Sequence, residues 1–117
     1  MPPITRPESF LPLTPVVFDI LVTLATADQH GYAILNELRE RTGDTVRPGS
    51  LYRALNRLLE DSLIEQVESS ARSGTDERRR CYRLTTLGRR VAEAETARLE
   101  TQVRSARAAQ LVSRRRS

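Results

Sequence analysis

A mainly α-helical chain with a small β-hairpin, a winged helix-turn-helix domain followed by a long C-terminal dimerisation helix, is the fold class that three features of this 117-residue sequence predict. Two stretches with helical apolar spacing are joined by a short turn holding Gly43, Pro48 and Gly49, which is the pattern of a helix-turn-helix. Two β-like runs, SLIEQVES and RRRCYRLT, flank the polar SARSGTDE and read as a hairpin with a long tip, the wing. From Thr86 onward the chain has no proline and is rich in helix formers, so it continues as one long helix.

Residues 1–12 hold four prolines and no period, which predicts an irregular N-terminal arm. The winged helix-turn-helix domain then takes residues 13–85. Thr14 ahead of Pro15 is a helix start, an N-cap hydroxyl before a proline whose missing N–H costs nothing at the first helical position. Val17, Ile20, Leu21 and Leu24 carry the first helix to about Ala27. A second helix spans about residues 30–42, with Tyr32, Leu35 and Leu38 on one side, Ile34 beside them, and Gly43 placed as a C-terminal cap. The third lies in PGSLYRALNRLLEDSLI, residues 48–64. There Leu51, Leu55, Leu58 and Leu59 fall within roughly 100° of one another, while Arg53, Asn56, Arg57 and Glu60 point the other way. Residues 86–112 form the C-terminal dimerisation helix, with Leu87, Val91, Ala94, Leu99, Val103 and Ala106 as a loose apolar stripe. A small domain cannot cover that whole length, so its natural partner is the same helix of a second copy. Residues 113–117 form a basic tail.

Composition narrows the function. With 38% apolar residues, two Phe, three Tyr and no Trp, the single core must be aliphatic, and an oligomeric contact would help complete it. The net charge is +4 and all 19 basic residues are arginine. Guanidinium matches phosphate and guanine bidentately, which suits nucleic acid. GC-rich codon usage yields the same composition with no function implied, so the placement of the arginines says more than their number. They cluster at Arg47, Arg53 and Arg57, at Arg78 to Arg80, and at Arg114 to Arg116. One Cys and one His cannot form an intrachain disulfide or a zinc site, and no metal or other cofactor is expected. No apolar run of signal-peptide length opens the chain and nowhere do 18 apolar residues follow one another; a cytoplasmic protein away from the membrane is expected. The sole histidine stands in a turn before a helix, and no glycine-rich phosphate loop or spaced carboxylate pair is present, so an enzyme is not expected.

The third helix poses the functional question, since one face belongs to the core and the other carries two arginines and an asparagine, with Ser50 at its start. These residue types read base edges and hold phosphates; a solvated face mixing charges for solubility is the plainer alternative. Arg72, Arg78, Arg79 and Arg80 lie on or beside the wing, where a nucleic-acid backbone would run. A winged helix serving as a protein-interaction module without specific DNA binding would more often expose an apolar patch.

LTPVVFDILVTLA, HGYAILNELRERTG, PGSLYRALNRLLEDSLIE and RRRCYRLTTLGRR occur in the order and at the spacings of the PadR-like transcriptional regulators, which the chain resembles over about residues 13–100. The resemblance implies a winged-helix domain that binds double-stranded operator DNA as a homodimer, most often as a repressor, joined through the C-terminal helix and often the first. It further implies that Tyr52 corresponds to the family's tyrosine of the recognition helix, with Ser50, Arg53, Asn56 and Arg57 on its exposed face. Arg53 and Asn56 are then expected at base edges, and Ser50, Tyr52 and Arg57 at phosphates. His30 and Tyr32 match the HGY element, where first-turn N–H groups can receive a phosphate. Core packing remains the other use of Tyr32, and a solvent-facing or helix-capping ring the other use of His30.

The chain departs from the family at two places. No aromatic residue follows Tyr82, so a flat small-molecule effector finds no stacking partner in the last helix. Phe10, Phe18 and the apolar side of the first helix are what remains for an effector, and core packing is their simpler use. Cys81 stands where the family often has an aromatic residue; it alternates with Tyr82 and Leu84 and so faces the other side of the strand. Packing is its ordinary use, a redox-sensing thiol beside arginines the alternative.

Overall fold

Threonine and then proline begin the first helix as the sequence predicts. In the computed structural model, which describes residues 6–43, 45–68 and 81–113, α1 spans Pro15–Thr26 and the Thr14 hydroxyl oxygen accepts from the Val17 N–H at 3.3 Å. That bond satisfies one of the first-turn donors with no partner inside the helix. α2 spans Gly31–Thr42 and ends at Gly43, whose N–H donates to the Arg39 carbonyl at 2.8 Å and whose φ of 80° turns the chain out of the helix. A side chain would clash in that left-handed conformation, and glycine has none. α3 follows over Pro48–Glu60.

Each of the three helices gives one face to a common aliphatic core: Ile20, Leu21 and Leu24 from α1, Ile34, Leu35 and Leu38 from α2, Leu51, Leu55 and Leu58 from α3. Arg41 ties α2 to α1 by donating to the Thr23 hydroxyl and the Asp19 carbonyl. Tyr32 departs from expectation and stands 68% exposed. The inward line of α2 runs through Gly31, Ile34, Leu35 and Leu38, and at 100° per residue Tyr32 lies roughly 110° from its centre.

α3 ends with the Ser62 N–H on the Leu59 carbonyl and the Leu63 N–H on the Leu58 carbonyl, at 3.1 and 3.0 Å, while Ser62 takes φ 64°. This is the Schellman pattern, with Leu58 and Leu63 buried beneath it. Serine occupies the position that glycine fills without strain. Ser62→Gly is therefore expected to raise the unfolding free energy by about 0.5 to 1 kcal/mol in urea titrations. A loss of stability there would show that the serine side chain contributes something other than strain.

β2 (Ile64–Val67) and β3 (Cys81–Leu84) pair antiparallel, Ile64 opposite Leu84 and Val67 opposite Cys81. The two expected strands are thus paired, and residues 69–80 between them lie outside the described residues. A third strand, β1 (Gln29–His30), pairs with the other edge of β3, so the sheet order is β1-β3-β2. Two residues are too few for alternation to register, which is why the sequence pattern did not reveal it.

α4 spans Thr86–Ala108, with the Thr85 hydroxyl oxygen accepting from the Gly88 N–H at 2.9 Å. Thr85 also anchors the helix to the preceding turn: its N–H donates to the Leu63 carbonyl at 3.1 Å and its hydroxyl to the Ser62 carbonyl at 2.7 Å. Gly88, Val91 and Glu95 form the inward line. Here the expected dimerisation stripe needs correction. Val91 is fully buried in its own chain and Leu87 packs partly on the same core, so Val91 is not available to a second copy and Leu87 only in part. Ala94, Leu99 and Ala106 are half-buried, and Val103 is 49% exposed.

The arm is less irregular than its prolines suggest. Pro7–Phe10 form one 3-10 turn against α4, and Phe10, Leu11 and Leu13 pack on the core edge. The Leu13 N–H donates to the buried Glu95 carboxylate at 3.1 Å, and Arg98 grips the same carboxylate through Nε and Nη2 at 2.6 and 2.9 Å. The Arg98 hydrogen bonds hold the Glu95 carboxyl below the usual glutamate range; burial opposes this and the Leu13 N–H supports it. A carboxyl whose folded-state pKa is depressed adds stability above its unfolded pKa, and that stability is lost as the pH falls through the folded value. Glu95→Gln is expected to cost about 2 kcal/mol at pH 7, and the gap to the unsubstituted chain should narrow below about pH 4. A gap independent of pH would assign the cost to packing rather than charge.

Candidate nucleic-acid interface

Spending Leu51, Leu55 and Leu58 on the core leaves α3 with an outer face of Tyr52, Arg53, Asn56 and Arg57, all exposed, beside a half-buried Ser50. Arg47, just ahead of the helix, is exposed as well. The Arg53 Nη2 lies 3.5 Å from the Ser50 hydroxyl, too long to hold it firmly. Arg57 pairs with Asp61 at 3.5 Å, with 74% of its side chain exposed. An exposed pair of this kind contributes roughly 0 to 1 kcal/mol, so a phosphate can take the guanidinium from it. The face presents donors whose bonds within the chain are weak, so little is lost inside the protein when a ligand takes them.

The starts of α2 and α3 meet. A Cβ on Gly31 would stand 2.9 Å from both Cε1 and the hydroxyl of Tyr52, so the phenol ring lies directly on the first residue of α2. Tyr52 remains 41% exposed, and Tyr32 projects from the next position of α2. His30, at the N-cap of α2, makes no side-chain capping bond. Its ring instead lies against Cys81 across the β1–β3 pair, with Nδ1 and Nε2 3.8 and 3.9 Å from Sγ. Of the two uses weighed for Tyr32, core packing is removed. Cys81 is half-buried, on the face opposite the buried Tyr82.

Six residues expected to touch nucleic acid, Tyr32, Ser50, Tyr52, Arg53, Asn56 and Arg57, thus occur around the beginning of α2 and the outer side of α3. Arg72, Arg78, Arg79 and Arg80, expected on or beside the wing, lie outside the described residues. Gly31 escaped the sequence reading although it stands inside the HGY element; its signal is a glycine at the first position of a helix, where local conformation does not ask for one.

The two phenylalanines weighed for an effector divide. Phe10 packs on the core edge. Phe18 borders an open groove of about 480 Å³ with Leu99 and Val103, and Arg104 and Arg107 at its rim. No group of three or more metal-ligating side chains occurs among the described residues, and no helix of the described chain is long and apolar enough to cross a membrane.

Comparison with known proteins agrees with this geometry. Residues 20–94 match the model of the family described as transcriptional regulator PadR-like. A PadR family transcription regulator from Clostridium difficile R20291 superimposes with a TM-score of 0.69 at 24% identity, covering 80% of this chain and 96% of its own. A PadR-like transcriptional regulator from Bacillus cereus gives 0.73 at 20% identity, covering 84% and 93%. At these identities the likeness is one of fold. An uncharacterized 37.1 kDa protein in transposon TN4556 of Streptomyces fradiae is 37% identical over 76 residues, 65% of this chain and 20% of that protein, so the match spans about a fifth of the relative's length.

Proposed function

From the membership of this chain in the PadR-like family of transcriptional regulators, we propose that it binds double-stranded DNA sequence-specifically, as a homodimeric repressor on a near-palindromic operator. The observation that carries the proposal is the division of α3, whose leucines belong to the core while Tyr52, Arg53, Asn56 and Arg57 face outward. Arg53 and Asn56 then read base edges in the major groove, and Ser50, Tyr52, Arg57 and Tyr32 hold phosphates. Arg72, Arg78, Arg79 and Arg80 add backbone contacts from the wing.

The dimer brings two α3 helices into successive major grooves, roughly 34 to 36 Å apart. Leu99, Val103 and Ala106 of α4 serve the dimer contact, supported by the exposure of Val103 and by Phe18 of α1 alongside Leu99. A protein-interaction module would more often expose an apolar patch, and the outer side of α3 carries one aromatic residue among polar ones.

Fluorescence anisotropy against the DNA upstream of the chain's own gene and a scrambled duplex, across a salt series, tests the reading. The upstream DNA is expected to bind about a thousandfold more tightly near physiological salt. Equal affinities that vanish together as salt rises would reduce the basic face to non-specific attraction.

A further inference from the structure

Gly31 is buried at the first position of α2, a place where a helix gains nothing from glycine. Its backbone is not left-handed, since among the described glycines only Gly43 has a positive φ. Conformational freedom therefore does not explain it. Space does: a Cβ there would approach Tyr52 to 2.9 Å at Cε1, 2.9 Å at the hydroxyl and 3.2 Å at Cζ, nearer than carbon atoms in contact normally come. All three of the atoms met belong to the ring end of one side chain, which can swing away into solvent because Tyr52 is 41% exposed. The closest approaches a methyl group would make at this position are to the ring of the tyrosine.

We infer that Gly31 is a positioning residue for DNA binding, whose missing side chain forms the seat that holds the Tyr52 ring against the start of α2. The inference rests on the proposed function for the use made of Tyr52. Its physical content is that the phenol is held by contact with another helix rather than by its own rotamer alone. The Tyr52 hydroxyl is thereby kept beside the first turn of α2, where His30 supplies no side-chain cap and the N–H groups are aligned. A ring ordered before binding loses less freedom on meeting the backbone of a duplex than one that must be ordered by it. Filling the seat turns the phenol outward and removes that advantage without touching the core.

The test is a cycle of four proteins: the unsubstituted chain, Gly31→Ala, Tyr52→Ala and the double variant. Each is titrated against a duplex selected by the unsubstituted chain from random DNA, and each is melted. Gly31→Ala is expected to weaken binding about tenfold, the value of one hydrogen bond to a charged group, with its melting temperature unchanged or raised. In the Tyr52→Ala background the same substitution should change affinity less than twofold. Ring-proton NMR of the tyrosines gives a readout independent of DNA: Tyr52 signals should move in Gly31→Ala while those of the buried Tyr82 stay. Unmoved Tyr52 signals, unchanged affinity in Gly31→Ala, or losses that multiply in the double variant would each overturn the inference. Failure of the unsubstituted chain to select any duplex would overturn the DNA-binding reading, and the use of the seat with it, while the NMR shift would still report whether the seat exists.

Discussion

Gly88→Ala is expected to lower the unfolding free energy by about 3 kcal/mol or more, enough to unfold much of a marginally stable domain. A Cβ at Gly88 would stand 2.0 Å from the Leu63 carbonyl oxygen and 2.9 Å from its carbon. Backbone cannot swing aside as a side chain can. The same oxygen accepts the Thr85 N–H at 3.1 Å, and the Thr85 hydroxyl is bonded to the neighbouring Ser62 carbonyl. Moving α4 away to make room therefore breaks the bonds that fix its start on the α3–β2 turn, and lifts Val91 from the core. Gly49→Ala is the matched control: its Cβ would meet Arg53 at an ordinary 3.6 Å, so little loss is expected. Equilibrium urea unfolding of both variants decides the matter, and equal stabilities would contradict the packing described for α4.

The second large effect concerns recognition. Asn56→Ala should cost about 1 to 3 kcal/mol on the preferred operator and scarcely change binding to random DNA, because an amide that reads a base edge contributes only where the base is right. Asn56 is exposed on α3 and outside the core, so the loss will not come from unfolding. Arg79→Ala, in the segment between β2 and β3, should weaken both kinds of DNA and lower the salt slope by about one, as expected for a single phosphate contact. If both substitutions acted alike on specific and random duplexes, the division into reading and anchoring residues would be wrong.

The features legible in the sequence share one property: their cause is local. Thr14 with Pro15, the cap at Gly43 and the leucine spacing of α3 each lie within a few residues of the structure they specify. So does the polar outer face of α3, since a helix that commits Leu51, Leu55 and Leu58 inward must show Arg53, Asn56 and Arg57 outward. What escaped was set by distant partners. Glu95 has no mark in the apolar pattern of its helix, yet it is buried because a backbone N–H 82 residues away and Arg98 satisfy its oxygens. Val91 was assigned to a second copy because the stripe alone does not tell which part of a long helix its own domain covers. The arm looked irregular from its prolines, although Phe10, Leu11 and Leu13 give it a hold on the core. Gly31 could be understood only once Tyr52, 21 positions later, was seen against it.

Selection of binding sites from a pool of random duplexes by the full chain, followed by sequencing, bears most directly on the claim that the outer face of α3 reads DNA as part of a symmetric pair. The enriched sequences are expected to share an inverted repeat whose half-site centres lie about 10 base pairs apart, one turn of the duplex. Enrichment of no common sequence, or of a single half-site without a symmetric mate, would contradict it.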